Sequence, residues 1–306
     1  MSSNPRTTRR AKGRTSRTVE AFLRSARALN TVKAYASDLK DFQAWGGRIP
    51  SRPDAVAEYL VELSANRSLA TIRRRKAAIT AAHRERGYAN PCASEVVSAT
   101  LKGIRRGCSR TRRQMRPLLA DQVTAAVTAT RTDMRGLRDR ALLLIGFAGA
   151  FRRSELVALD VEDCGMRGRD LVIHLRMGKT DQEGEGREVV IPSGKAICPV
   201  RALKEWLRKA QVRSGAVFRR VSRDGLVSSA RIPSGTVAQV VKMAALGLGL
   251  DPTLYAGHSL RAGYVTTAAL KGVPLWRIKK QTGHSTETMV ETYVRDGNLK
   301  AGPSFL

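Results

Sequence analysis

Apolar positions in the first third of the chain recur every three or four residues, the repeat of one helix face. Val32, Tyr35, Leu39, Phe42 and Trp45 make the first stripe, which stops at Gly46-Gly47. A second starts at Pro53 and carries Val56, Tyr59, Leu60 and Leu63; a third runs from Leu69 to Arg86 and ends at Gly87; a fourth starts near Pro91. Proline suits a first helical turn and glycine a helix end, so the punctuation agrees with the periodicity. The pattern predicts an all-helical N-terminal domain. Farther along it becomes mixed. Helices are predicted near 120–131, 136–148, 198–212, 234–246, 259–270, 274–281 and 286–295. Alternation in Leu171–Leu175 and Glu188–Ile191 predicts two short strands, joined by the polar, glycine-rich stretch Gly178–Gly186. The expected fold class is mainly α with a small β-sheet: an α+β second domain behind an all-α first one. No internal repeat of solenoid period is visible.

Charge narrows the class of partner. The 306 residues carry 55 Lys+Arg against 26 Asp+Glu, a formal charge of +29. So basic a chain calls for a polyanion, and nucleic acid is the polyanion expected. No run of 18 apolar residues is present, and the N-terminus lacks the apolar core of a signal peptide, so a cytoplasmic, nucleoid-associated protein without a membrane partner is expected. The basic residues are unevenly placed. Residues 1–17 hold six and no acidic residue, which reads as a disordered basic arm; 102–117 hold seven and no acidic residue, which reads as an exposed charged linker. The expected organisation is therefore arm 1–17, helical DNA-binding domain 18–107, linker 108–117 and catalytic domain 118–306. Arg73, Arg74, Arg75 and Lys76 on the third helix, with Arg112 and Arg113 in the linker, are candidate phosphate contacts. Cys92, Cys108, Cys164 and Cys198 are widely spaced with no CxxC pair, so neither a zinc site nor a disulfide framework is expected.

The residues able to do chemistry lie in five scattered segments: Gly149–Leu156 with Arg152 and Glu155, Gly178-Lys179-Thr180, Gly257-His258-Ser259-Leu260-Arg261, Gly283-His284-Ser285, and Tyr293 nine residues beyond His284. Arg152 and Glu155, like His258 and Arg261, are three apart and would share a helix face. Each has a plain alternative when taken singly. Arginine is usually solvated or ion-paired, Lys179 is one loop lysine with Lys195 as a rival, Glu155 is an ordinary ion-pair partner, and histidine or tyrosine is often a core residue. Yet both histidines sit in the same Gly-His-Ser, where glycine lets backbone approach a ligand closely.

Taken together, "FRRSELVALD", the "GKT" loop, "GHSLRAG" and "TGHSTETMVETYVR" resemble the tyrosine-recombinase, or phage-integrase, family across the second domain. The one departure is Phe151, where leucine is common before the catalytic arginine. The resemblance implies a site-specific recombinase whose catalytic residues are Arg152, Lys179, His258, Arg261, His284 and Tyr293, with Glu155 in support. In that scheme two guanidiniums clamp the phosphate's non-bridging oxygens. Tyr293 attacks, His258 takes its proton, Lys179 protonates the leaving 5′-oxygen, His284 hydrogen-bonds a phosphate oxygen, and Glu155 orients His258 or Arg152. The product is a 3′-phosphotyrosyl enzyme, whose ester conserves the bond energy for religation. No cofactor and no metal is implied. The partners implied are double-stranded DNA and three further copies, as a homo-tetramer on two DNA sites, with room for accessory proteins. Three rival readings remain: a catalytically silent DNA-binding protein, a type IB topoisomerase-like enzyme, and a metal-dependent nuclease built on Asp160, Glu162 and Asp163.

Overall fold

The computed structural model describes residues 29–107, 115–176 and 186–284. The basic arm, Arg112, Arg113, Lys179 and Tyr293 lie outside the described residues. The chain divides into two compact units, Met1–Arg113 and Gln114–Leu306.

The first unit contains four described helices, α1 (Leu29–Ala44), α2 (Pro53–Ser64), α3 (Leu69–Glu85) and α4 (Glu95–Gly107). Pro53 opens α2 at its first helical position, and Ser68 caps α3 by accepting from the Thr71 amide at 3.3 Å. Their apolar stripes meet in a core of Phe42, Val56, Tyr59, Leu60, Ile72, Ile79, Val97 and Ile104. Pairing is α1 with α3 and α2 with both α3 and α4. Lys102, Arg105 and Arg106 belong to α4, whose Val97 and Ile104 are buried, so the basic run starts inside a helix rather than in a linker. The apolar partners of α4 outweigh the run's charge in deciding its structure.

The second unit is arranged around α6 (Met134–Ala148). Against it pack α5 (Ala120–Thr128), α7 (Arg153–Ala158), α8 (Pro199–Lys209), α9 (Ser234–Gly247) and α10 (Ser259–Leu270). Residues Ala141–Gly146 are all buried, which explains why α6 shows little polar face. Asp133 caps this helix by accepting from the Gly136 amide at 2.8 Å. The two expected strands are present as β2 (Asp170–Leu175) and β3 (Arg187–Ile191), antiparallel with Leu175 opposite Arg187 and Leu171 opposite Ile191. A further strand not read from the sequence, β1 (Cys164–Arg167), pairs with β2 and completes a meander in the order β1-β2-β3. A separate hairpin, β4 (Arg219–Val221) with β5 (Val227–Arg231), was also not expected. These strands lack alternating apolar residues: the β5 sequence is Val-Ser-Ser-Ala-Arg, with its middle exposed. The last described helix, α11 (Leu275–Thr282), packs against α10. Chain entry into this unit is pinned by the Arg116 amide on Leu254 O (2.8 Å) and the Leu118 amide on Ser259 O (3.0 Å). No helix among the described residues is long and apolar enough to cross a membrane.

Candidate active site

The turn before α7 places the first arginine. Ala150 has φ +49°, the left-handed region that a residue with a Cβ enters at a cost of about 1–2 kcal/mol. Its carbonyl thereby faces α10 and accepts from Arg261 Nη1 at 2.8 Å. Phe151 is buried, and its ring leaves no room for a Cβ on Gly149. Arg152 then stands at the N-cap of α7 in an extended conformation, not on the helix face expected from its spacing. It still meets Glu155, because Glu155 folds back over the helix start. Its Oε2 accepts from the Arg152 amide at 2.8 Å, and its Oε1 accepts from Arg152 Nη1 at 2.6 Å. Burial pushes the Glu155 pKa up, but the Arg152 amide and guanidinium, with Arg187 behind them, hold it below the usual carboxylate range.

The second arginine comes from the first turn of α10. Arg261 is 1% exposed, and Nη1 also donates to Thr282 O at 2.7 Å. His258, the N-cap of that helix, is exposed. The two therefore share a helix start but differ in environment.

The C-terminus of α11 brings in the rest. An α-helix ends with carbonyls that lack amide partners and carry partial negative charge. Here three successive carbonyls accept from three guanidiniums: Gln281 O from Arg187 at 2.6 Å, Thr282 O from Arg261, and Gly283 O from Arg152 at 3.5 Å. Gly283 caps the helix at φ +66°, a conformation suited to glycine. His284 follows, 5% exposed, with Nδ1 2.8 Å from Thr282 Oγ1. The Thr282 hydroxyl also reaches Ile278 O at 2.8 Å; donating its one proton there, it accepts from His284 Nδ1–H. Burial and the charges of Arg261, Arg152, His258 and Arg187 push the His284 pKa down to about 3.

The glycines of the two Gly-His-Ser motifs have an intramolecular reason of their own. A Cβ on Gly283 would lie 2.9 Å from Arg187 Nε, and one on Gly257 would lie 3.0 Å from Arg153 Cδ. Glu155 bonds to Arg152 and Arg187. Arg187 is the site residue the sequence reading missed: in a chain with 55 basic residues, one arginine after a glycine-rich loop carries no signal of its own.

Other expectations fare differently. Asp160 pairs with Arg231, Asp163 with Arg176 at 2.6 Å, and Glu162 accepts from the Gly215 amide at 2.9 Å, so this acidic trio is engaged in holding the β1 approach. On α3, Arg73 and Lys76 line an open groove of about 300 Å³ together with Tyr35, Thr80 and Arg84. Arg74 chelates Asp38 at 2.7 and 2.9 Å while remaining half exposed. Arg75 departs from its expected role as a phosphate contact. It is 6% exposed, pairs with Asp41 and Asp38, and donates to Tyr59 Oη at 2.9 Å. Four consecutive helical residues cannot share one face, and of this run it is Arg75 that turns inward.

Comparison with known proteins agrees with this architecture. Residues 116–298 match the model of the phage integrase family. The "Integrase/recombinase xerD homolog" of Selenomonas ruminantium is 36% identical over 288 residues, covering 90% of this chain and 84% of that protein. The recombinase cre of Escherichia phage P1 is 25% identical over 311 residues, covering 91% and 88%. Among solved structures, a lambda integrase dimer bound to a COC′ core site superposes with a TM-score of 0.64 at 18% identity, covering 94% of this chain and 77% of that one. The XerH site-specific recombinase bound to palindromic difH substrate gives 0.64 at 19% identity, covering 88% and 77%.

Proposed function

The chain belongs to the phage integrase family of tyrosine recombinases, DNA-binding enzymes that break and rejoin DNA, and we propose that it does so through a covalent 3′-phosphotyrosyl intermediate on Tyr293. The observation that carries this reading is the meeting of Arg152, Arg261 and His284 at the end of α11, from segments as much as 131 residues apart. Arg152 and Arg261 bind the non-bridging oxygens of the scissile phosphate. Charge accumulates there in the transition state, and donors fixed in advance stabilise it most. Glu155 and the α11 carbonyls hold those guanidiniums before DNA arrives, which lowers the cost of ordering them during the reaction.

The remaining roles follow from proton balance. Tyr293 Oη attacks phosphorus, the P–O5′ bond breaks, and the 5′-oxygen leaves as a hydroxyl. His258 accepts the phenol proton, consistent with its exposed place at the α10 N-cap. Lys179 supplies the proton to O5′. His284 takes up a second proton as the bound phosphate offsets the surrounding cations, and donates from Nε2 to a phosphate oxygen. The reverse attack by a 5′-hydroxyl restores the phosphodiester, so exchange needs no cofactor. Arg73 and Lys76, lining their groove, contact the DNA backbone with Arg112 and Arg113, and four copies act on two sites.

The test is incubation of the full chain with fragments of the source genome, followed by denaturing electrophoresis and sequencing of the covalently trapped DNA. Wild type is expected to yield a protein–DNA adduct at a recurrent sequence. Tyr293→Phe is expected to bind the same DNA with near-normal affinity and yield none; an adduct in that variant would overturn Tyr293 as nucleophile.

A further inference from the structure

We infer that Arg187 is a positioning residue of the cleavage site, setting the clamp arginine and the His284 turn against each other. The inference rests on the reading that Arg152, Arg261 and His284 hold the scissile phosphate. Arg187 opens β3, eight residues after Lys179. Its guanidinium has two engagements of different kinds. Nη1 donates to Gln281 O at 2.6 Å, and Nη2 lies 3.4 Å from Glu155 Oε2. A Cβ added to Gly283 would lie 2.9 Å from Arg187 Nε and 3.0 Å from Arg187 Cζ, so a side chain there would press on the guanidinium.

Glu155 is thereby shared between two cations. Its Oε1 holds the Arg152 guanidinium, and its Oε2 holds the Arg152 amide and faces Arg187. The result is a continuous line of contacts from the sheet edge through Arg187 and Glu155 to Arg152. A branch from Arg187 runs to Gln281, three residues before His284. Gln281 strengthens that branch: its Nε2 donates to Ala148 O at 2.9 Å and to Val190 O at 3.2 Å, tying α11 to the end of α6 and to β3. Burial lowers the Arg187 pKa and the neighbouring Arg152 charge adds to this, while Glu155 opposes both. A guanidinium remains charged under such pressure, and its planar fork makes both bonds at once. Since that fork is engaged by Gln281 and Glu155, Arg187 acts on DNA through Arg152 and His284 rather than by touching phosphate.

The experiment is single-turnover cleavage of a trapped target site by full-length Arg187→Gln, Arg187→Lys, Glu155→Gln and the Glu155→Gln/Arg187→Gln double variant, with DNA affinity and melting temperature measured alongside. Misplacing a catalytic group by about 1 Å can cost about 10²-fold, so Arg187→Gln is expected to slow cleavage about 10–100-fold. DNA affinity is expected to stay within about twofold, because the clamp's charges remain. Residues acting through one another do not add, so the double variant is expected to be within about twofold of the slower single variant. Arg187→Lys keeps the charge but not the fork, and is expected to stay at least about fivefold slow while melting like wild type; it carries the test if Arg187→Gln does not fold. Wild-type rates in the glutamine or lysine variant overturn the inference. So do losses that multiply in the double variant, or affinity falling in step with rate, which would make Arg187 a phosphate contact. These outcomes leave Tyr293 chemistry intact, whereas absence of any adduct from the wild-type chain removes both readings together.

Discussion

His284 is a neutral ring walled in by cations. In the unfolded chain its ring takes up a proton near pH 6.5, but the folded site resists protonation until about pH 3. The unfolded state therefore binds more protons across that interval. The histidine's contribution to stability is complete above pH 6.5 and is lost as pH falls toward 3. His284→Gln is expected to flatten the decline of melting temperature over that window; a decline as steep as wild type's would show that other groups cause it. A bound phosphate reverses the local field, so the His284 pKa is expected to rise on DNA binding, which ring NMR signals would report. Lys179 has a separate signature. As general acid it is needed only when the leaving group is an alkoxide, so Lys179→Ala is expected to cleave ordinary DNA about 10²–10⁴-fold slower. The variant is expected to recover when sulfur replaces the bridging 5′-oxygen, while Arg152→Ala does not. Equal slowness on both substrates would move the role to Lys195 or a water. At this scale the sequence was informative wherever a residue type is scarce. With four histidines in the chain, two Gly-His-Ser motifs stand out, whereas Arg187 and the inward-facing Arg75 are hidden among 55 basic residues. Which face of α3 points inward is decided by Asp38 and Asp41 on another helix, and no local pattern records that.

Among elements, the short helix α11 has an importance out of proportion to its eight residues. Its final carbonyls organise three arginines, and its left-handed cap at Gly283 sets the direction of His284. Gly283→Ala is expected to lose about 1–2 kcal/mol of stability from the left-handed backbone alone. It is expected to lose a larger share of activity, because the added methyl would press on Arg187 at 2.9 Å. Chemical denaturation and cleavage rate measured together check this; a purely stability-sized loss of activity would mean Arg187 moves aside without consequence. Long periodic helices were legible in sequence because their apolar stripes match the core they enter. Strands β1, β4 and β5 were not, being short and largely polar, and held by partners rather than by their own pattern. The start of α7 was misread for a related reason: spacing alone cannot tell an N-cap from a first helical turn when the side chain three residues on folds back.

For the whole molecule, the charge of +29 exceeds what a clamp and a groove require. Six of the basic residues lie within the first 17. Deleting those residues is expected to weaken DNA binding and to reduce the slope of log affinity against log salt, since each neutralised phosphate releases counterions. An unchanged slope would place the arm off the DNA. The wide separation of the site's parts along the chain has a consequence for biosynthesis. Arg152 leaves the ribosome more than a hundred residues before the carbonyls of α11 that hold its partner Arg261 and end at Gly283. Contacts so distant in sequence form late, once the intervening chain has folded. A copy that stops short of Gln281 therefore has Arg152 and Arg261 without the carbonyls of Thr282 and Gly283 that fix them, so synthesis of the site is completed by one of its last helices.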